Sequence, residues 1–385
     1  MRFRFLIPVF FWLGFGCLAS AAETDPLESL RRIQTRPMSE RLTLIDDLLV
    51  RFDTPWRAAG HDTLTFVYRG PGREVAVAGD WTSWNAEAPM THLRGTDLWF
   101  QTVRFPPRTR LDYKLVIDGR WQLDQRNPQT MMSGFGPNSE LRHAYTPPRW
   151  TTAIETTAAC RLDTLIVPAP GLGGHRTVVV VVPPRAIEQP RPFLLVHDGL
   201  EFLSIARLAT FLARADEVAS GNPAPICVCV PPGQRTEEYA GTLQDDFSRW
   251  IVEDLMPLIV ERYARYGSQD QPWGSLGASY GGRITLDLAR RFPGRFDRLA
   301  PLSPSIAAAQ HDGIAGLDPS SIRIYLNWGI YDIPDLIPGC ERFAAMLEKN
   351  GFIAQTEVLP QGHSWGLWRD TLDDAFDFLY GIKVD

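Results

Sequence analysis

The sequence predicts an α/β domain preceded by a small all-β, immunoglobulin-like sandwich, and two observations lead to this prediction. Short alternating apolar stretches separated by turn signals, such as residues 64–68 and 111–117, are typical of a small β-sandwich. From residue 165 onward, nearly continuous apolar runs such as 178–182, 193–196 and 226–230 alternate with helical patterns. Runs of this kind indicate a parallel sheet that is covered by helices on both faces.

The same changes in the pattern of apolar residues divide the 385 residues into four segments. Residues 1–21 are interpreted as a signal peptide and residues 22–60 as a helical lead-in. Residues 61–147 form the predicted sandwich, and residues 155–385 form the predicted α/β domain. A proline-rich stretch at 147–152 is the predicted linker between the two domains.

The N-terminus has the three parts of a secretory signal. Arg2 and Arg4 supply positive charge, residues 6–18 are an apolar run, and residues 19–21 form a small-x-small cleavage site. We therefore expect a mature chain that begins near Ala22 and is periplasmic or extracellular. No later segment reaches the roughly 18 consecutive apolar residues of a membrane helix, so we expect no membrane span.

The cysteines do not predict a metal site. Cys17 would fit a lipoprotein signal, but Gly14 stands where a lipobox usually has Leu, so a lipoprotein is the less favoured interpretation. The spacing of the other cysteines fits no metal motif and favours buried small apolar residues, with a bridge between the first and the last of them left open. These four are Cys160, Cys227, Cys229 and Cys340.

Composition and charge exclude several classes of protein. Hydrophobic residues make up 44% of the chain and charged residues 22%, which is close to the globular average and unlike a disordered protein. The formal net charge is −6. Because nucleic-acid-binding proteins normally carry a basic excess or a basic stripe, we expect no nucleic-acid partner.

A motif with the pattern G-x-S-x-G, at residues 277–281, predicts a nucleophilic serine at Ser279. It stands between a short predicted strand, 273–276, and an amphipathic helix. In this context a strained strand-to-helix turn lifts the serine oxygen above the sheet, and small flanking residues permit the turn. A glycine-rich turn that caps a helix is the alternative interpretation.

A serine hydroxyl needs a base, and in this chain order an acid and then a histidine follow the serine. His363, which follows a turn near the C-terminus, is the predicted base, because His311 lies in a polar stretch too close behind a sheet strand. Asp332 comes at the carboxyl end of the strand 322–328 and is the predicted acid, with Asp335 as the alternative. An aspartate that merely caps the next helix is the other interpretation of Asp332.

An acyl-transfer site also needs N–H donors for the oxyanion. The backbone N–H of Tyr280, directly after the nucleophile, is the first predicted donor. Gly199 or Leu200, after the strand 193–196, is the second. A plain β-turn is the alternative at this place.

Over residues 160–381 the chain resembles the esterase-D superfamily of α/β hydrolases, which includes enterochelin (siderophore) esterases and feruloyl and acetyl-xylan esterases. This resemblance implies an α/β-hydrolase fold, a triad of Ser279, Asp332 and His363, and substrate contacts by Arg235 and Trp365. The family typically has Asp after the catalytic His, where this chain has Ser364. The motifs that carry the resemblance are residues 194–199, 235–239, 254–257, 277–282 and 362–369.

The N-terminal block resembles the E-set module of carbohydrate-binding family 48 through residues 79–85, 113–114, 118–121 and 137–139. In glycan-binding members the positions that match Trp84, Lys114, Trp121 and Asn138 touch sugar, and an aromatic face can stack on a pyranose. Two alternatives stay open. The Trp residues can be core residues of a small sandwich, and in enterochelin esterases an N-terminal sandwich helps to shape the substrate cleft.

The predicted function is a secreted or periplasmic serine carboxylesterase of the enterochelin esterase type, which hydrolyses a small-molecule or oligosaccharide ester through an acyl-enzyme on Ser279 and needs no cofactor or metal. A carbohydrate esterase guided by a glycan-binding domain is the first alternative, with polysaccharide as its further partner. A non-catalytic glycan-binding protein is the second, and acyl transfer to a sugar acceptor is the third.

Overall fold

The structure is a computed structural model that describes residues 26–57, 62–152, 158–219 and 222–384. The predicted signal peptide at 1–21, with Cys17, lies outside the described residues. Among the helices that are described, none is both long and apolar enough to cross a membrane.

The described strands and helices follow one another in two blocks. The strands are β1 (Trp56–Arg57), β2 (Thr63–Arg69), β3 (Val75–Gly79), β4 (Thr91–His92), β5 (Leu98–Arg104), β6 (Thr109–Ile117), β7 (Arg120–Gln122), β8 (Thr130–Ser133), β9 (Gly136–His143), β10 (Arg161–Ala169), β11 (Gly174–Val182), β12 (Phe193–His197), β13 (Ile226–Val230), β14 (Trp273–Ala278), β15 (Phe296–Leu302), β16 (Arg323–Tyr331) and β17 (Ile353–Gly362). The helices are α1 (Pro26–Thr35), α2 (Met38–Arg51), α3 (Arg149–Thr152), α4 (Gly199–Ser204), α5 (Leu208–Val218), α6 (Arg235–Ala240), α7 (Gln244–Arg249), α8 (Met256–Arg262), α9 (Tyr280–Arg291), α10 (Ala308–Ala315), α11 (Ile337–Lys349), α12 (Trp365–Asp370) and α13 (Leu372–Tyr380).

The N-terminal block is a β-sandwich with a small aromatic core. One sheet has the strand order β1-β2-β5-β4, and strand β6 of the other sheet pairs with β3, β7 and β9. Between the sheets, the ring of Phe66 stacks on Trp81 at 5.1 Å and meets Tyr113 edge to face at 5.0 Å. Helices α1 and α2, which form the predicted lead-in, bury Leu30 and Ile45 against the first sheet.

The C-terminal block is a mixed sheet with the strand order β10-β11-β13-β12-β14-β15-β16-β17. Successive residues of β13 enter two different cores, with Ile226, Val228 and Val230 on one face and Cys227 and Cys229 on the other. Burial of both faces is what the continuous apolar runs predicted. The fold class, an α/β-hydrolase-like domain preceded by an all-β unit, is confirmed.

One expectation about this sheet was wrong. The apolar run at 178–182 lies in β11, which pairs antiparallel with both β10 and β13 instead of parallel. An apolar run predicts burial on two faces but leaves the strand direction open. The direction follows from the short connection between β10 and β11, where Gly173 and Gly174 have φ of 90° and 107°, because a tight turn of this kind joins only antiparallel neighbours.

The two blocks share one sheet. Strand β17 of the α/β domain pairs with β6 of the sandwich through Gln361 and Arg110, so that the strand order continues as β17-β6-β9-β8. The sequence predicted two units joined by a linker, and pattern alone gives no sign of this pairing. Because β17 ends at Gly362, directly before the predicted base His363, the sandwich lies beside the predicted catalytic loop.

The cysteines of the described chain are free thiols, and the bridge left open between Cys160 and Cys340 is not formed. The Cys160 thiol donates to the Ala209 carbonyl oxygen at 3.3 Å, and the Cys340 thiol donates to the Pro304 carbonyl oxygen at 3.4 Å. The two sulfurs thus sit against different parts of the domain.

Candidate active site

Ser279 stands on a sharp turn between β14 and α9, with φ of 59° and ψ of −118°. Such a backbone conformation is rare for a residue with a side chain and is typical of a nucleophile turn. The structure also explains why glycine occupies positions 277 and 281 of the motif. A Cβ on Gly277 would lie 2.4 Å from the carbonyl oxygen of Gly281, and a Cβ on Gly281 would lie 3.0 Å from Asp198 Oδ2.

His363 and Asp332 are joined by a hydrogen bond at the carboxyl ends of β16 and β17. The Nδ1–H of His363 donates to Asp332 Oδ1 at 2.7 Å, and the backbone N–H of Ile333 donates to the same oxygen at 2.8 Å. The alternative acid Asp335 is exposed, and the ring of His311 pairs instead with Asp312. Of the two predicted acids, the structure therefore brings Asp332 to the histidine.

The environment of Asp332 favours its charged form. Burial by itself raises the pKa of this carboxyl group, but hydrogen bonds from His363, Ser303 and the Ile333 N–H outweigh burial and hold the pKa below its usual value. A carboxylate that stays ionised can fix the histidine tautomer and stabilise an imidazolium.

Ser303 is a residue of this site that the sequence did not predict. Its hydroxyl accepts the indole N–H of Trp368 at 3.1 Å, and it also hydrogen-bonds to Asp332. Trp368 in turn packs edge to face on the His363 ring, with ring centroids 5.0 Å apart. The only signal in the sequence is the place of Ser303 directly after strand β15.

The predicted oxyanion donors lie at the beginnings of two helices. Tyr280 is the first residue of α9, and Gly199 and Leu200 begin α4. The first N–H groups of a helix have no partner within that helix, so they can donate elsewhere. A Cβ on Gly199 would lie 2.5 Å from the Cys229 backbone, which explains the glycine.

Arg235, the predicted substrate contact, is tied to a carboxylate. Its Nε and Nη2 donate to the two oxygens of Asp198 at 2.7 and 2.8 Å, and Nη2 also approaches the Ala278 carbonyl oxygen at 3.3 Å. The guanidinium lies 5.8 Å from the centre of the Tyr280 ring. Arg235 therefore meets the cleft as part of a neutral ion pair.

A cleft of about 580 Å³ brings the two groups of predicted residues together. From the α/β domain it is lined by Ser279, His363, Arg235 and Trp365, together with Trp368. From the sandwich it is lined by all four positions predicted to touch sugar, which are Trp84, Lys114, Trp121 and Asn138. The sandwich is thus a wall of the same cleft that holds Ser279.

The four sandwich positions differ in what they offer a ligand. The rings of Trp84 and Trp121 lie 6.2 Å apart, and Trp121 is 47% exposed. The alternative that Trp84 and Trp121 are core residues is wrong, since the tryptophan that stacks on Phe66 in the sandwich core is Trp81. Asn138 is 6% exposed and its amide donates to Asp112 Oδ2 at 3.0 Å, so this amide mainly supports the wall.

The sequence did not predict several other residues of the cleft. Asp80 and Asp112 are neighbours in the wall of the cleft, where the backbone N–H of Asp112 donates to Asp80 Oδ2 at 2.8 Å. Burial raises the pKa of both carboxyl groups. Burial also raises the pKa of Glu201. Phe135 is 99% exposed at the tip of the β8–β9 hairpin, where the adjacent glycines were the only signal of a turn.

Both parts of the chain match known protein families. Residues 169–379, more than half of the chain, match the family described as "Putative esterase". The chain belongs to this esterase family. Residues 63–134 match the family described as "Glycogen recognition site of AMP-activated protein kinase". The resemblances expected for the two domains are confirmed, and the protein is a hydrolase of ester bonds, which rejects the non-catalytic alternative.

The esterase is also similar to proteins of solved structure. Enterobactin esterase FES from Shigella flexneri superposes with a TM-score of 0.66 over 82% of this chain and 92% of that chain, at 19% identity. A ferulic acid esterase superposes with a TM-score of 0.50 over 58% of this chain and 99% of that chain, at 16% identity. At these identities the likeness shows a shared fold.

A curated relative matches the same esterase by sequence. The uncharacterized protein YbbA of Bacillus subtilis (strain 168) is 25% identical over 175 residues, which are 40% of this chain and 68% of that protein.

Gly277→Ala is expected to destabilise the nucleophile turn, because the added methyl group would lie 2.4 Å from the Gly281 carbonyl oxygen. Overpacking of this kind lowers the free energy of unfolding by about 1–3 kcal/mol, which urea unfolding can measure. Gly171→Ala is the matched control, since nothing lies within 4 Å of a Cβ at that position. Equal stability of the two variants would contradict this explanation of the motif.

Proposed function

We propose that this esterase is a serine carboxylesterase that cleaves its substrate through an acyl-enzyme on Ser279. The observation that carries the proposal is the 2.7 Å hydrogen bond from His363 to Asp332, formed by the same histidine that shares a cleft with Ser279. Asp332 orients the imidazole, and the free Nε2 accepts the proton of the Ser279 hydroxyl. The contact between His363 Nε2 and the Ser279 hydroxyl is part of what we propose.

The reaction proceeds in two steps. Ser279 Oγ attacks the ester carbonyl carbon while His363 takes its proton, and the backbone N–H of Tyr280, with that of Gly199 or Leu200, stabilises the oxyanion. His363 then gives the proton to the leaving alcohol, and the acyl group stays on Ser279. A water molecule, activated by the same histidine, releases the acid and restores the serine.

Ser279 is expected to react covalently with a fluorophosphonate probe, and Ser279→Ala is expected to lose both labelling and ester hydrolysis. Removal of a triad nucleophile typically lowers kcat by several orders of magnitude, so a loss of at least about 10³-fold is expected on p-nitrophenyl acetate. Mass spectrometry of the labelled peptide identifies the modified residue. Labelling at another residue, or full activity of Ser279→Ala, would reject the proposed nucleophile.

A pair of aspartates provides a matched control for the same assay. Asp332→Asn is expected to lower kcat by about 10⁴-fold, because an amide favours the wrong imidazole tautomer. Asp335 lies three positions after Asp332 and is exposed, so Asp335→Asn is expected to keep the wild-type kcat. Similar losses in both variants would count against Asp332 as the acid.

The charge of the cleft favours an uncharged ester that carries a sugar or aromatic ring. A ferric catecholate siderophore is strongly anionic and requires cationic groups. Among the described residues of the cleft, the lysine and arginine side chains are Lys114 and Arg235, and the latter is paired with Asp198. Four carboxyl groups line the same cleft. Asp198 is paired with Arg235 and Asp112 with Arg110, and burial raises the pKa of Asp80 to about 8, so Glu201 and Lys114 add little net charge. A carbohydrate ester of the feruloyl or acetyl-xylan type is therefore the favoured substrate class.

A siderophore ester is the second candidate. The likeness to enterobactin esterase FES extends over 82% of this chain and so includes the sandwich as well as the α/β domain. The same arrangement of two domains can hold a trilactone if cations from the substrate or the solvent offset the carboxyl groups.

Trp121→Ala is expected to separate these substrates. On a feruloylated or acetylated xylo-oligosaccharide, kcat/KM should exceed that on ferric enterobactin and should fall about tenfold in the variant, because a stacked ring is lost. Hydrolysis of p-nitrophenyl acetate, which has no oligosaccharide chain to stack on Trp121, is the control and should not change. A preference for ferric enterobactin would reject the carbohydrate ester, and transfer of the acyl group to a sugar would indicate an acyltransferase.

We also propose that the esterase is periplasmic or extracellular, on the basis of Arg2, Arg4 and the apolar run at 6–18. N-terminal sequencing of protein made from the full-length gene should find Ala22 as the first residue. A chain that keeps Met1 would reject export by cleavage at this site, and a lipid-modified Cys17 would support the lipoprotein alternative.

A further inference from the structure

Arg110 is a buried cation at the boundary between the two domains. It lies on β6 of the sandwich, and its side chain is 0% exposed. Two carboxylates of the sandwich surround it, with Nη2 2.6 Å from Asp112 Oδ1 and Nε 2.8 Å from Glu140 Oε1. Its remaining terminal nitrogen, Nη1, donates to Ser364 Oγ at 2.8 Å. Ser364 belongs to the α/β domain and directly follows His363.

The loop that carries His363 is packed against the sandwich on both sides of the histidine. A Cβ on Gly366 would lie 2.0 Å from Arg110 Cζ, and a Cβ on Gly362 would lie 2.1 Å from Asp80 Cγ. Directly before the loop, Gln361 pairs with Arg110 in the shared sheet. These contacts hold the backbone before and after His363 against the sandwich.

We propose that Arg110 and Ser364 are positioning residues that fix His363 for catalysis, so that the sandwich is part of the catalytic machinery as well as a wall of the cleft. The inference rests on the proposed role of His363 as the base. Asp332 fixes the ring through Nδ1, and the bond from Arg110 to Ser364 fixes the chain that bears the ring. A catalytic group that moves by about 1 Å can lose roughly 10²-fold in rate.

The charges around Arg110 explain a serine at position 364. Asp112 and Glu140 already balance the guanidinium, and a hydroxyl accepts the third N–H without adding another carboxylate to a buried site. The Asp that the family typically has at this position would place a third acid beside them. In this chain a neutral hydroxyl thus accepts the hydrogen bond of Arg110 Nη1.

Ser364→Ala tests the inference, because it removes the acceptor and leaves the ion pairs of Arg110 with Asp112 and Glu140 in place. We expect kcat on p-nitrophenyl acetate to fall about 10- to 100-fold at a temperature well below Tm, with KM within about twofold. Tm should fall by only a few degrees, because one buried N–H loses its acceptor. The rate of fluorophosphonate labelling at Ser279 should fall by a similar factor. Ser364→Thr, which restores a hydroxyl, should recover most of kcat.

Arg142→Gln is the matched control. Arg142 donates to Glu140 Oε2 at 2.6 Å, whereas Arg110 donates to Oε1 of the same carboxylate. Its loss therefore disturbs the same ion cluster and leaves the bond from Arg110 to Ser364 in place. This variant should keep the wild-type kcat. Equal losses in Ser364→Ala and Arg142→Gln, or full kcat in Ser364→Ala, would overturn the inference. Failure of the wild-type enzyme to label at Ser279 would instead overturn the proposed function.

Discussion

The pairing of β17 with β6, closed by the buried Arg110, is the contact on which the arrangement of this esterase depends. It makes one sheet out of two units and places a sandwich residue within hydrogen-bond reach of the residue after His363. A buried guanidinium is stable only when its partners are present. Asp112, Glu140 and Ser364 supply them from both domains, so the two domains have a fixed relation at this point.

This fixed relation divides the cleft into a chemical side and a recognition side. The α/β domain contributes Ser279 and His363, which carry the chemistry in the proposed mechanism. The sandwich contributes Trp84 and Trp121, whose flat apolar faces can select among substrates by shape. Asp198 holds the guanidinium of Arg235 in an ion pair, which makes the cleft a poor match for strongly anionic substrates, although the fold is shared with an enterobactin esterase. Function here depends on the side chains of the site more than on the fold.

Burial affects the pKa of carboxyl groups in both the α/β domain and the sandwich. Asp332 is buried, yet the hydrogen bonds that it accepts keep its pKa below the usual value, so it is available as a carboxylate. Asp80 and Asp112 are also buried, but they lie close to each other and their pKa values are raised. Asp80 and Asp112 thus support the wall of the cleft, whereas Asp332 is bonded to His363. The difference lies in the neighbours: burial and a second carboxyl group raise the pKa of Asp80 and of Asp112, whereas hydrogen bonds from His363, Ser303 and the Ile333 N–H outweigh burial at Asp332.

The sequence by itself determined the features that depend on local pattern. Apolar periodicity predicted the strands and helices, the glycines around Ser279 predicted the turn, and chain order predicted His363 and Asp332. The tertiary structure decided the rest: the antiparallel direction of β11, the choice of Asp332 over Asp335, the role of Ser303, and the single cleft shared by both domains. These features depend on contacts between residues far apart in the chain, such as the 254 positions that separate Arg110 from Ser364. Periodicity and motif spacing carry no information about such distant contacts, because only packing brings them together.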